Sequence, residues 1–232
     1  MSELFSIQLQ NRQQQGRDGV WLDLPTTTEQ VQAALRQIGI SSDNPQGLFI
    51  SGYFAEEEKR FAIPYNMVLA SNVDELNFLA SRLETLSTGE RAELNAALQA
   101  PQSELFSIGK ITDFPENVEY YVHLPEVRGP AQLGDYYLNR SGMVDMPEEW
   151  KGGIDTAQFG RYVAQQEQGV FTEYGYLVKS GDEWQKVHEG QPVPEEYRVL
   201  SFPAPEVLRD SANISPPIQS EPQLQKVLPI IL

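Results

Sequence analysis

The sequence predicts an α+β fold: an elongated multi-domain chain in which small mixed α/β units at both ends flank a helical middle domain. Apolar and polar residues alternate at both ends, as in half-buried strands, whereas leucines recur at helical spacing between them. The word SELFSI occurs at residues 2–7 and again at 103–108, and each copy precedes an LP pair and a helical pattern. We therefore predict a duplicated unit. The predicted division is 1–60, an N-terminal β-β-α-β unit; 61–102, the helical middle domain; 103–201, a C-terminal α+β domain; and 202–232, a disordered tail.

The N-terminal unit has a pattern for each of its four elements. SELFSIQLQN alternates as a strand does, and VWLDLP is a second strand that ends at Pro25, which cannot donate to a sheet ladder. TTTEQVQAALRQIG then has apolar residues at helical spacing, with threonines as candidate caps. GLFISGYF follows as the third strand.

The middle domain is predicted to be a helical hairpin. Asn72 with Glu75, and Ser87 with Glu90, have the spacing of capping boxes. The leucines between and after these caps form an apolar stripe, which indicates core packing and no cofactor site. The hairpin ends at Pro101.

The C-terminal domain is predicted to open with two strands, SELFSIGKI and VEYYVHLP. PAQLGDYYLNRSG has a helical pattern, and Pro147 suits a first helical position. Asp155 with Gln158 predicts a capping box, and the following helix would present Phe159, Tyr162 and Val163 as its apolar face. GVFTEYGYLVKSGDEW indicates a pair of strands.

The chain is strongly acidic. Thirty-three Asp and Glu stand against seventeen Lys and Arg, a net charge of −16. Residues 113–196 alone hold sixteen carboxylates and six basic residues. Such a surface repels nucleic acid and anionic membranes, so neither is an expected partner. With no cysteine, no apolar run of membrane-spanning length and no signal-peptide pattern, we expect a soluble cytoplasmic protein.

Enzyme signatures are missing from the sequence, and we expect a protein that is not an enzyme and uses no cofactor. The phosphate-binding, dinucleotide-binding, nucleophile-elbow and zinc-protease motifs do not occur. His123 and His188 lie far apart, and His123 is expected to be structural. The acidic clusters at 56–58, 74–75 and 148–149 lack the spacing of a calcium loop, so no metal site is predicted. An uncharacterised hydrolase remains an alternative.

Three segments resemble the ArdA antirestriction proteins of conjugative plasmids and transposons, over roughly Leu4 to Lys179. LQNRQQQGRDGVWLDLP resembles the opening of that family, and SNVDELNFLASRLETLSTGERAELNAALQA resembles its helical middle. MPEEWKGGIDTAQFGRYV resembles its C-terminal element. The order and spacing of the three segments carry the resemblance.

The resemblance implies a DNA mimic: an elongated acidic homodimer that occupies the DNA-binding channel of a type I restriction–modification enzyme, at its methyltransferase core. Carboxylates would then stand in for phosphates. The candidates are Glu56, Glu57, Glu58, Asp74, Glu75, Asp113, Glu116, Glu119, Glu126, Asp135, Asp145, Glu148, Glu149, Glu167 and Glu173. The family's C-terminal element also implies a dimer interface, with Ile154, Phe159 and Tyr162 as candidates; their alternative is the core of one chain.

The sequence departs from the family pattern in its C-terminal part. Thr156, Ala157 and Gln158 replace part of a more acidic and aromatic run, and Gly152 and Gly153 stand where bulkier residues are expected. The chain also continues beyond the usual end of the family. Because the same charge would suit other basic proteins, an alternative function is an acidic interaction module of a mobile element that binds a different basic defence or transfer protein.

Overall fold

The computed structural model describes residues 3–14, 18–41, 46–56, 61–101 and 103–200. Within these ranges the chain is a mixed α/β structure with eight α-helices and two small antiparallel sheets. The strands are β1 (Phe5–Asn11), β2 (Val20–Leu24), β3 (Leu48–Phe54), β4 (Tyr121–Leu124), β5 (Val170–Thr172) and β6 (Gly175–Lys179). The helices are α1 (Thr28–Gln37), α2 (Tyr65–Leu69), α3 (Val73–Glu84), α4 (Thr88–Gln99), α5 (Ile108–Thr112), α6 (Pro130–Asn139), α7 (Glu148–Lys151) and α8 (Thr156–Glu167).

The first sheet confirms the predicted β-β-α-β order. Its strand order is β2-β1-β3, and β1 is antiparallel to both neighbours. Along β1 the side chains of Phe5, Ile7 and Leu9 are buried, while the residues between them are partly exposed. Helix α1 buries Val31 and Leu35 and begins with a complete capping box. The sequence period of two and then of 3.6 therefore predicted this part well.

The helical hairpin is also confirmed. Asn72 caps α3 and Ser87 caps α4, and in both caps the side-chain and backbone bonds of the capping box are present. The leucine stripe is core: these side chains, all at most 6% exposed, are Leu76, Leu79, Leu83, Leu86 and Leu94. The short helix α2 was not predicted.

The predicted strand at SELFSIGKI is wrong. This segment is irregular up to Ser107, whose hydroxyl accepts the N–H of Lys110 and caps α5. After the first SELFSI the alternation continues through Leu9. After the second, the buried Ile108 and Ile111 are three residues apart, which is helical spacing. The two copies thus have different secondary structures, because the residues that follow them set different periods.

The second sheet has the order β4-β6-β5, so the predicted strand pair forms and is joined by β4. Helices α6 and α8 pack on it around a core cluster of Val127, Leu133, Ala164 and Tyr176.

The two helices meet at glycines. A Cβ on Gly134 would lie 1.9 Å from the Thr156 carbonyl oxygen, and one on Gly160 would lie 1.8 Å from the Pro130 carbonyl oxygen. Their backbones therefore touch directly.

Residues 181–200, here called the strap, contain only one short 3₁₀ helix, Glu195–Tyr197. The strap lies against α3, α5 and the turns after α5, and is held there by side chains of those elements.

Hydrogen bonds cross the predicted domain boundaries. The N–H of Thr26 donates to Asn77 Oδ1 at 2.7 Å, which joins the N-terminal unit to α3. The division at residues 60 and 102 and the elongated arrangement stay predictions, and the predicted tail, 202–232, lies outside the described residues. None of the helices in the described ranges has the length and apolar character needed to cross a membrane.

Candidate partner-binding surface

Thirteen of the fifteen carboxylates predicted to mimic phosphates lie in the described residues, and they range from fully buried and bonded inside the protein to exposed. Asp113 is fully buried, and its carboxylate accepts three backbone N–H groups, from Val187, His188 and Glu189. Asp74 Oδ1 likewise accepts the N–H groups of residues 199 and 200. Asp113 cannot meet a partner in this structure, and Asp74 is committed to the strap, so we leave both out of the proposed surface.

Glu167 is also bonded internally. Its carboxylate accepts the hydroxyl hydrogens of Tyr137 and, at 3.0 Å, of Tyr176. Burial, and then the neighbouring Glu167, raise the pKa of both tyrosines. The carboxylate therefore joins α8 to α6 and β6, and this role leaves it little freedom to bind a partner.

Four further candidates have partners within the chain but keep part of their surface in solvent. Glu75 completes the cap of α3, and Glu116 pairs with Arg82. Asp135 accepts bonds from Asn139 and Arg140, which lower its pKa in that order. The fourth, Glu173, accepts a bond from Gln99.

The remaining candidates among the described residues are exposed. Glu119, Glu126, Asp145 and Glu149 are exposed and form no hydrogen bond or ion pair with another residue of the described ranges. Glu56 is exposed as well, while Glu57 and Glu58 lie outside the described residues. Glu119, Glu126, Asp145 and Glu149 are therefore the candidates most open to a partner.

The acidic segment, residues 143–151, lies between α6 and α8 and contains three exposed candidates within five positions of the described chain. Asp145, Glu148 and Glu149 are exposed, and Lys151 balances only one of them, through a 2.6 Å pair with Glu148. Trp150, 66% exposed, stands among these carboxylates. Exposed tryptophans are enriched at binding interfaces. Trp150 was not among the residues predicted from sequence to bind a partner, although it directly follows two of them in the letters EEW.

The three candidate interface residues differ in exposure. Tyr162 is 59% exposed, so the alternative of an intrachain core does not hold for it. Ile154 and Phe159 are partly buried. The buried face of α8 is centred on Gly160 and Ala164, where the contact with α6 lies. Of the predicted apolar face, Val163 packs on the core cluster, whereas Phe159 is only partly buried and Tyr162 is exposed.

Asp155 caps α8 by accepting the N–H of Gln158, but only this half of the predicted capping box forms.

The described residues form no arrangement that indicates a catalytic site. They hold no group of three or more acidic or histidine residues able to bind a metal. A cavity of about 390 Å³ lies between α6 and the second sheet, but its one carboxylate is Glu167, bonded to two tyrosines. His123 Nε2 lies 2.9 Å from the Tyr174 carbonyl oxygen, and burial lowers its pKa, so its contact is structural.

These features define an acidic, mixed α/β protein with exposed carboxylates on its surface. The family model described as antirestriction protein (ArdA) matches residues 15–178. The match covers more than half of the chain, and the chain therefore belongs to the ArdA family of antirestriction proteins. Membership implies an antirestriction function, exerted on restriction enzymes, and the family is not known for enzymatic activity. The chain matches no individual curated protein sequence.

Proposed function

We propose that this protein inhibits a type I restriction–modification enzyme by occupying its DNA-binding channel as a mimic of DNA. The observation that carries this proposal is the set of exposed carboxylates, above all Asp145, Glu148 and Glu149, most of whose charge no described basic residue neutralises. A channel that binds phosphates is lined with basic residues, and it would attract these carboxylates from a distance. Family membership supports the choice of a restriction enzyme as the partner.

The amount of charge fits a stretch of duplex. The net charge of each chain is −16, so two chains carry −32. Duplex DNA carries one charge per roughly 1.7 Å, and a dimer would therefore match the charge of about 16 base pairs. We propose a homodimer with Tyr162, Phe159 and Ile154 at its interface, because Tyr162 leaves a large aromatic ring in water in one chain.

The function is tested by plating unmodified phage on a host with a type I restriction system, with and without this protein. We expect the protein to restore plating efficiency toward that of a non-restricting host, and to have no effect on the non-restricting host. If restriction persists while the purified protein is folded and abundant, the proposal is wrong for that enzyme class. Capture of transfer proteins or other defence proteins in place of restriction subunits would favour the alternative interaction module.

The carboxylate mechanism predicts cumulative effects. Each exposed pair contributes about 0.2–1 kcal/mol, so a single change such as Asp145→Asn should weaken binding less than about fivefold. Neutralising Asp145, Glu148 and Glu149 together should weaken binding more strongly and make it less sensitive to salt. The measurement is a titration of the purified methyltransferase core at several salt concentrations.

The matched control neutralises Glu3, Asp18 and Asp23, three exposed carboxylates distant in sequence from the acidic segment. This control changes the net charge equally, so a larger loss from the acidic segment identifies that segment as a contact. A single carboxylate variant that is folded yet inactive, beside a fully active triple variant, contradicts mimicry.

A further inference from the structure

The strap, residues 181–200, starts after the family match ends at residue 178. It has little regular structure of its own, yet several of its backbone groups are bonded to side chains of the preceding chain. This arrangement resembles a bound peptide more than a packed element, because hydrogen bonds join side chains of the preceding chain to the main chain of the strap.

Asn117 binds both backbone polar groups of Gln185, near the start of the strap. Its Oδ1 accepts the N–H of Gln185 at 2.7 Å, and its Nδ2 donates to the carbonyl of the same residue at 2.9 Å. Asn117 is buried and is itself fixed by a bond to the Asp113 carbonyl. A two-bond contact of this kind recognises an extended backbone whatever the side chain.

Asp113 holds residues 187–189. Its two carboxylate oxygens accept the N–H groups of residues 187, 188 and 189, the shortest at 2.6 Å. Three converging N–H groups satisfy a buried carboxylate, which would otherwise be costly to desolvate. The carboxylate and this turn of the strap therefore complement each other.

The far end of the strap is held by α3. Asn77 Nδ2 donates to the Tyr197 carbonyl at 3.0 Å, and Asp74 Oδ1 accepts the N–H groups of Val199 and Leu200 at 2.7 and 2.8 Å. Val199 is buried.

Aromatic contacts accompany the backbone bonds. The Trp184 ring packs edge-on against Tyr120, with centroids 5.2 Å apart. The rings of His188 and Tyr197 both contact Phe78, at 4.9 and 4.7 Å. The strap thus inserts rings at its two ends and near its middle.

We propose that α3, α5 and the turns after α5 form a binding groove for an extended peptide, and that the strap is its resident ligand. Four polar side chains bind the ligand's main chain, and Phe78 and Tyr120 receive its rings. The strap has an aromatic residue near each end, Trp184 and Tyr197, to fit these two contacts. The groove is independent of the proposed restriction inhibition. Asp74 and Asp113, which bind the strap, are not part of the surface proposed to meet the restriction enzyme.

The proposal is tested on the full chain with a specific protease site inserted after Gly181, which is exposed and has no neighbour within 4 Å of a Cβ position. After cleavage we expect the released segment to stay bound during gel filtration. A large excess of labelled peptide 182–200 should then exchange into the groove, while circular dichroism of the body is unchanged.

Two variants of the cleavable chain test the location of the groove. Asn117→Leu removes the bonds to Gln185. Gly109→Leu places a side chain where a Cβ would already lie 3.2 Å from the Glu189 Cα. Each should weaken binding of the labelled peptide at least tenfold. The matched control is Gly89→Leu, also in a helix but with nothing within 4 Å, which should change binding less than twofold.

Three results would overturn the groove. The body could unfold on cleavage, or the cleaved segment could resist displacement by excess peptide; either shows that the strap is part of the core. Alternatively, the segment could leave and the labelled peptide fail to bind, which shows that the surface has no affinity of its own. Restriction inhibition is measured separately, so its failure does not bear on these outcomes.

Discussion

At the scale of single residues, the contact between Gly134 and Gly160 leaves no space for a larger side chain. A methyl group at either position would overlap a backbone carbonyl oxygen, which cannot move as a flexible side chain can. We expect Gly134→Ala and Gly160→Ala each to lower the free energy of unfolding by about 1–3 kcal/mol, although alanine is the better helix former.

Urea unfolding measures this change. The control is Gly152→Ala, because a Cβ at Gly152 has no neighbour within 4 Å. Equal stabilities for the three variants would show that α6 and α8 do not pack as closely as described.

Glu93 gives the protein a pH-dependent stability. Its Oε1 is buried without a hydrogen-bond partner among the described residues, and burial, with a smaller effect of Glu90, raises its pKa from 4.5 to about 7. The folded state therefore holds this proton more tightly than the unfolded state. The contribution of protonated Glu93 to the free energy of unfolding is fully present below about pH 4.5 and is lost as the pH rises through about 7.

Glu93→Gln keeps the shape and removes the titration. We expect this variant to be more stable than the parent at pH 8, with a smaller gain at pH 5, as measured by urea unfolding at both pH values. A gain that is the same at both values would contradict a titrating Glu93.

At the scale of elements, helix caps should account for measurable stability. Ser87 accepts the N–H of Glu90 at the start of α4, and Ser87→Ala should lower the free energy of unfolding by about 1 kcal/mol. Thr88→Ala is the control, since Thr88 is also exposed, also loses a hydroxyl, and forms no cap. If the two variants unfold alike, the cap contributes nothing.

The elements that the sequence predicted correctly are those whose signals are local. Caps at Asn72 and Ser87 and the alternation along β1 involve residues within a few positions of each other, and all three are present. The strap could not be predicted in this way. Its bonds join residues 68 to 126 positions apart, such as Asn117 to Gln185 and Asp74 to Leu200.

At the scale of the whole molecule, the sequence predicted the sign of the surface charge but not its distribution. From the sequence alone, the exposed members of the fifteen candidate carboxylates could not be distinguished from the buried ones. In the structure Asp113 and Glu167 are bonded inside the chain, while Asp145 and Glu149 face water. Burial depends on contacts across the chain, and a local pattern does not contain them.

The proposed homodimer can be tested by a substitution at its interface. Tyr162→Asp should convert the proposed dimer to monomers, because it places an unpaired charge in the interface. Phe54→Asp is the control, since Phe54 is 58% exposed against 59% for Tyr162 and lies in the first sheet. Sedimentation velocity measures the mass. A folded Tyr162→Asp variant that sediments as the dimer does would place the interface elsewhere.

The exposed Trp150 also provides an intrinsic fluorescent probe of the acidic segment. Indole emission moves to shorter wavelength when the ring leaves water, and Trp150 is the most exposed of the chain's three tryptophans. Binding through the acidic segment should therefore shift the emission of the unlabelled protein, and Trp150→Phe should abolish that shift. Movement of the strap would instead change the signal of Trp184, so two single-tryptophan proteins could follow the two events separately in real time.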